Sequence, residues 1–339
     1  GALADYIAKQ DTTIEMYFLA FPEYLSIYKG KHKLQTLNML NPLDMIKVAQ
    51  SDVVVTNYGA LTLVYYAKLT SLKFVDVWHG LPMLKNQTPK IMDYLNYYTE
   101  IWLSSEAMKK FYKTKYRLRS KLIVTGYGRT DKLFNGDYDR DIICEKYGLP
   151  KGKKILLIAP TWKHNNPNRN ELPFGLSQER FITELNSFAE QTDCCIVFRA
   201  HMLSNDLGAA GKNIKALSSH DYPDTEEIIS VADLLVTDWS SIAYDFMATK
   251  RPIIFIDAQT PFVGDELKNR CMPSNRFGPI IGDVSEFKKV AKRYLSKPEL
   301  YSRENTEDIS RIEKIAYGGT LDGKATKRYF DNLIELFNG

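Results

Sequence analysis

Two of the five histidines stand where short apolar runs stop, the position from which an imidazole can reach a ligand. In Val75-Asp76-Val77-Trp78-His79-Gly80-Leu81-Pro82 a strand-like run gives way to a His-Gly pair and a proline turn. A neutral imidazole there can take a proton from a hydroxyl, and Gly80 lets backbone approach closely; the same His79 can instead be a packing or capping group. In Ile196-Val197-Phe198-Arg199-Ala200-His201 the alternation of a strand puts Arg199 and His201 on one face. A guanidinium and an imidazole so placed suit a di-anion such as pyrophosphate, the alternative being a salt-bridged arginine beside a structural histidine. In Leu234-Leu235-Val236-Thr237-Asp238-Trp239-Ser240-Ser241 a run ends just before a helical stretch at 242–248. Hydroxyls and amides at a helix start bind phosphate, and Asp238 or Ser240 can equally be an ordinary helix cap.

Two further run ends carry polar groups. Ile158-Ala159-Pro160-Thr161-Trp162 offers the Thr161 hydroxyl; Trp162 is core or a cleft wall, and His164 reads as solvated. In Gly126-Tyr127-Gly128-Arg129-Thr130-Asp131, Arg129 either touches an anion or braces the chain. The motifs of P-loops, nucleophile elbows, zincins, EF-hands and dinucleotide fingerprints are missing from the sequence.

These residues need elements to hold them. Strands are expected at 53–56, 74–77, 101–104, 122–125, 155–159, 195–199, 234–237 and 253–256. The runs are apolar throughout and not alternating, as in parallel strands covered on both faces. Helices are expected between them at 62–69, 107–115, 178–191, 225–230 and 285–295. Alternating βα units predict an α/β fold, and the series occurs twice. The polar stretch 134–154, with Gly136, Gly148, Pro150 and Gly152, reads as a small helix and a linker. The expected architecture is GT-B-like: two doubly wound Rossmann-like domains facing a cleft, with ligands at the carboxyl ends of strands. The expected boundaries are 1–135 for a first domain and 136–325 for a second, with a helix at 326–339 packing back on the first.

Composition narrows the function. A chain of 339 residues exceeds the roughly 250–300 at which single cores split. With 44% hydrophobic and 25% charged residues it is neither disordered nor collagen-like. Its apolar runs fall short of the ~18 residues of a membrane helix. Cys144, Cys194, Cys195 and Cys271 form no C-x-x-C pair, which argues against structural zinc and a disulfide scaffold; reduced core cysteines point to the cytoplasm. No signal peptide opens the chain, and a start at Gly1 is compatible with a longer parent protein. The net charge of +4 permits an anionic ligand or membrane surface. Between 108 and 121 lie Lys109, Lys110, Lys113, Lys115, Arg117, Arg119 and Lys121 with no acid. That run is either a peripheral membrane or polyanion contact, or a solvated helix face.

Taken in order, Trp78-His79-Gly80, Gly126 to Asp131, Ala159-Pro160-Thr161-Trp162, Arg199-Ala200-His201 and Thr237-Asp238-Trp239-Ser240-Ser241 resemble the CDP-glycerol glycerophosphotransferases. These are the teichoic-acid primases and polymerases and related capsule polymerases. His220-Asp221-Tyr222-Pro223-Asp224 and the closing Tyr317…Asp322-Gly323-Lys324-Ala325…Arg328 also resemble that family, so the likeness runs from about Leu40 to Arg328. Two positions depart from it: Trp239 stands where the family commonly has Tyr, and Gly128 where it has Pro. The resemblance implies transfer of a polyol phosphate from CDP-glycerol or CDP-ribitol to a hydroxyl of a lipid-linked or capsular polymer, releasing CMP (phosphotransferase class EC 2.7.8). It implies His79 as base, with His201 also catalytic. Thr161, Arg199, His201, Thr237, Asp238, Ser240 and Ser241 would bind the donor, and Gly80, Arg129 and Asp322 are secondary candidates. It implies a cytoplasmic protein on the inner membrane face, with no nucleic-acid partner. No metal-ligand cluster stands out, so no resident cofactor is expected, although magnesium bridging the pyrophosphate is compatible with the motifs. The alternatives are a GT-B glycosyltransferase using a UDP-sugar, and a non-catalytic protein binding an anionic glycopolymer.

Overall fold

The computed structural model describes residues 1–28, 34–57, 63–77, 81, 94–116, 118–161, 172–199, 212–218, 222–259 and 275–338. They divide into two compact units, one drawn from 1–131 and 317–338, the other from 132–316.

In the first unit β3 (Val53–Thr56), β4 (Lys73–Asp76), β5 (Glu100–Leu103) and β6 (Lys121–Val124) form a parallel sheet in sequential order. A separate parallel pair joins β1 (Tyr17–Ala20) to β2 (Gln35–Asn38). β2 is polar at Gln35, Thr36 and Asn38, so an apolar-run criterion passes over it; β1, Tyr-Phe-Leu-Ala, is an apolar run that the expected strands do not include. The helix Ala325–Asn338 returns to this unit, and Tyr329, Leu333 and Leu336 join Ile7, Val75 and Trp102 in one core cluster. Lys73 Nζ donates to the Leu336 carbonyl, a cation at a helix C-terminus where the dipole favours it.

The second unit holds six parallel strands in the order β12-β11-β10-β7-β8-β9. They are β7 (Lys154–Ile158), β8 (Cys194–Phe198), β9 (Ile214–Ala216), β10 (Leu234–Thr237), β11 (Ile253–Ile256) and β12 (Ile280–Ile281). Read from β7, the chain winds one way through β8 and β9, then returns to β10 and winds the other way. That is the doubly wound Rossmann order. All eight expected strands form; β9 and β12, at three and two residues, are too short to leave a periodic signal. The helix Gln178–Thr192 covers β8 and β9, with Ser177 accepting from Arg180 N as its cap.

The expected boundaries shift in two places. The first unit's run ends at Asp131, not 135, and the small helix of the polar stretch, Arg140–Tyr147, packs as part of the second unit. Asp139 caps that helix, Gly148 closes it in the left-handed conformation, and the Arg140 fork reaches the carbonyls of Val231 and Lys153 and the Asp233 carboxylate. At the other end the second unit stops at Ala316, not 325. Tyr317 is fully buried edge-on to Tyr127, and Thr320 Oγ1 donates to Ser104 O, which commits this segment to the first unit.

Candidate donor site and a helix clamp

Neighbouring strands β7 and β10 diverge into opposite windings, and their carboxyl ends form the switch point where doubly wound sheets bind ligands. Asp238 sits at the end of β10, 3% exposed. Its Oδ1 accepts from Thr161 N at 2.7 Å, across to the loop after β7, and from Trp239 N at 2.5 Å. Thr237 Oγ1 donates to Ala159 O at 2.7 Å. Both side chains are buried, and these bonds stitch the loop after β10 to the loop after β7. Ser240 and Ser241 follow, each half buried, and Ser240 Oγ accepts from Ile242 N at 3.4 Å. Ser241 stands at the start of the six-residue helix Ile242–Met247, and its hydroxyl does not cap it. Trp239 is anchored by its indole, Nε1 donating to Ala258 O at 2.9 Å.

Arg199 ends β8, beside β7, and its amide donates to Ile158 O. The guanidinium is 7% exposed, and Nη2 donates to Thr225 Oγ1 at 2.9 Å. Nη1 is buried without a hydrogen-bond partner among the described residues. Burial pulls its pKa down from the usual arginine range, opposed by Tyr147, Glu226 and Asp224. A buried donor without an acceptor is costly, and an anion placed there would relieve it. Behind it Tyr147 stacks on Tyr222 at 5.2 Å and donates to Glu227 Oε2, which Lys146 also reaches. Burial, then that carboxylate bond, raises the Tyr147 pKa, so the phenol stays protonated and donating. Thr225 and Tyr147 left no sequence signal, since nothing local ties them to a strand end far away in the chain.

The strand that delivers the Trp78-His79-Gly80 motif is clear: β4 ends at a wholly buried Asp76, and Val77 N donates to Thr56 O. His79, Gly80 and His201 themselves lie outside the described residues, as do Trp162, His164 and His220.

Arg129 and Asp322, the secondary candidates, have structural work. Asp131 Oδ1 and Oδ2 accept from Ala325 N and Thr326 N at 3.1 and 2.6 Å, capping the terminal helix from almost 200 residues away. Arg328 grips Asp322 with both terminal nitrogens at 2.9 Å and donates through Nε to Thr125 O. Tyr329 OH donates to Gly126 O at 3.0 Å. Arg129 stacks on the Tyr127 ring, 4.4 Å from its centroid. A Cβ on Gly128 would fall 2.7 Å from Thr326 Oγ1 and 3.1 Å from Tyr329 Cε2, so the helix requires a bare backbone there. The Gly126–Asp131 stretch and the closing motif are thus two halves of one clamp.

The basic run is less uniform than its sequence. The helix Glu106–Tyr116 buries Met108 and Tyr112. Lys121 pairs with the buried Glu100 at 2.9 Å, Lys109 lies 3.6 Å from Glu106, and Lys115 covers the Phe111 ring. Lys110, Lys113 and Arg119 are exposed. Among the described residues no helix is long and apolar enough to cross a membrane.

Known proteins resemble this chain. The chain is 31% identical over 202 residues to the teichoic acid ribitol-phosphate polymerase TarL of Staphylococcus aureus, covering 55% of this chain and 35% of that protein. It is 28% identical over 286 residues to the teichoic acid glycerol-phosphate transferase of Staphylococcus aureus, covering 77% and 71%. The chain spans 35%, 39% and 58% of the first three curated relatives it matches, well short of their full length. Among solved structures, the wall teichoic acid polymerase TagF superposes with a TM-score of 0.73 at 20% identity, over 98% of this chain and 83% of that one. The UDP-GlcNAc 2-epimerase of Neisseria meningitidis follows at 0.61 and 14%, over 98% and 95%. Both likenesses concern the fold, which is of GT-B type. The sequence profile of the CDP-glycerol:poly(glycerophosphate) glycerophosphotransferases matches residues 1–334, and the chain belongs to that family.

Proposed function

We propose that this protein transfers a polyol phosphate from a CDP-polyol, CDP-glycerol or CDP-ribitol, to a hydroxyl of a teichoic-acid-like polymer and releases CMP. The observation that carries the reading is the buried Arg199 guanidinium, whose Nη1 donor has no partner among the described residues, one strand from the β7–β10 switch point. Family membership supplies the chemistry. The acceptor oxygen attacks the phosphorus that bears the polyol, a new P–O bond forms, and the bond from that phosphorus to the bridging oxygen of CMP breaks. His79 takes the acceptor's proton. Arg199 and His201 offset the charge that builds on the departing CMP, as preorganised donors do in other anion-releasing reactions. Ser240 and Ser241 contact the diphosphate. The acceptor is lipid-linked, and Lys110, Lys113 and Arg119 draw the protein to the anionic inner face of the membrane.

Thermal unfolding in CDP-glycerol, CDP-ribitol, UDP-N-acetylglucosamine and UDP-glucose tests the donor assignment. A CDP-polyol at 100 times its Kd should stabilise the folded protein by about 2.7 kcal/mol, with UDP-sugars having no effect. Stabilisation by a UDP-sugar alone would reassign the fold to glycosyl chemistry.

A further inference from the structure

We propose that Arg276, absent from the motif set and from the family likeness as read in the sequence, is a positioning residue of the donor site, holding the Trp239-Ser240-Ser241 turn and keeping a cation beside it. The inference rests on the donor-site reading above. Trp239 is fixed at two points, its amide on Asp238 and its indole on Ala258 O. The Arg276 guanidinium lies over its ring, 4.8 Å from the centroid, and 5.9 Å from that of Phe255 on β11. Arg276 is 8% exposed, so this is an interior stack and not a surface contact.

The backbone that carries it is held from both sides. Asn275 O accepts from Tyr244 OH at 3.1 Å, and Tyr244 belongs to the helix that starts just after Ser241. Phe277 packs on Tyr244 and Phe255, and its carbonyl accepts from Tyr301 OH at 2.9 Å. Arg276 is therefore tied to the turn through Trp239 and to the following helix through Asn275. A guanidinium on an indole face gains from the ring quadrupole, and most when desolvated. In a low-dielectric surrounding its charge also acts over a longer reach than in water. The consequence is specific: Arg276 matters for the phosphate part of the donor and little for its nucleoside.

Calorimetric titration of the full chain with CDP-glycerol and with cytidine tests this. Arg276→Gln should weaken CDP-glycerol binding about tenfold and leave cytidine within about twofold, while Arg276→Lys, which keeps the charge, should stay within about threefold for both. Trp239→Phe keeps a ring but loses the indole anchor, and should lose about threefold for CDP-glycerol alone. If Arg276→Gln does not fold, Arg276→Met, which keeps the stem between Trp239 and Phe255 but removes the charge, takes its place with the same expected losses. CDP-glycerol affinity unchanged in Arg276→Gln, or equal losses for both ligands, would overturn the inference. If the wild-type protein binds cytidine and CDP-glycerol equally or not at all, the donor-site reading fails and this inference fails with it. If the wild type prefers CDP-glycerol and the variants match it, only the role of Arg276 fails.

Discussion

Arg199 is the side chain on which the proposed donor site turns. One arm of its guanidinium is fixed by Thr225, and the other meets no acceptor among the described residues. Replacing it with alanine should cost about 1.5–3 kcal/mol of CDP-glycerol affinity, roughly 10- to 150-fold, as for other hydrogen bonds to charged groups. Titration of the variant with CDP-glycerol reads this directly, and unchanged affinity would remove Arg199 from the site. His79→Ala should separate the roles: donor affinity stays near wild type while transfer falls by about 10²–10⁴, the usual share of a general base. At this scale the sequence was partly legible. An arginine at the end of an apolar run is easily recognised. Whether a threonine or aspartate beside it faces a ligand or a neighbouring strand is not. Thr237 and Asp238 use their oxygens on Ala159, Thr161 and Trp239, partners that come from the β7–β10 pairing and not from local sequence.

Among the elements, the terminal helix Ala325–Asn338 has the most distant supports. Its N-terminal amides are capped by Asp131, and Arg328 joins it to Asp322 and to the Thr125 carbonyl. Asp131→Ala should therefore lower unfolding free energy by about 0.5–2 kcal/mol, the range for a lost helix cap, in a chemical denaturation series. No loss would show that the helix needs no cap from this loop. The Arg328 hydrogen bond holds the Asp322 carboxyl below its ordinary value. A lowered folded pKa adds stability above the unfolded value near ~3.9, and that contribution disappears as pH falls through the folded pKa. Asp322→Asn should accordingly flatten the acid limb of stability below about pH 5. Strands with continuous apolar runs were readable. The clamp was not, because Gly128 looks like a loose turn until the helix beneath it is known.

At the scale of the molecule, the six strands of the second unit take the Rossmann order, and its switch point gathers Thr161, Asp238 and the Ser240-Ser241 turn, with Arg199 one strand away. The fold was legible in the repetition of βα units, since parallel strands buried on both faces carry a strong apolar signature. The return of residues 317–338 to the first unit was legible only as a closing helix. Its start at Tyr317 depends on ring packing against Tyr127 that no local pattern encodes. The family assignment carries the proposed reaction, and the architecture supplies the fold that would hold its donor. The most direct test is CMP release from CDP-glycerol and from CDP-ribitol, each with and without a polyol-phosphate primer, beside UDP-sugar controls. The account predicts CMP from one CDP-polyol, dependent on primer and lost in His79→Ala. UDP release from a control sugar with no CMP from either CDP-polyol would contradict it.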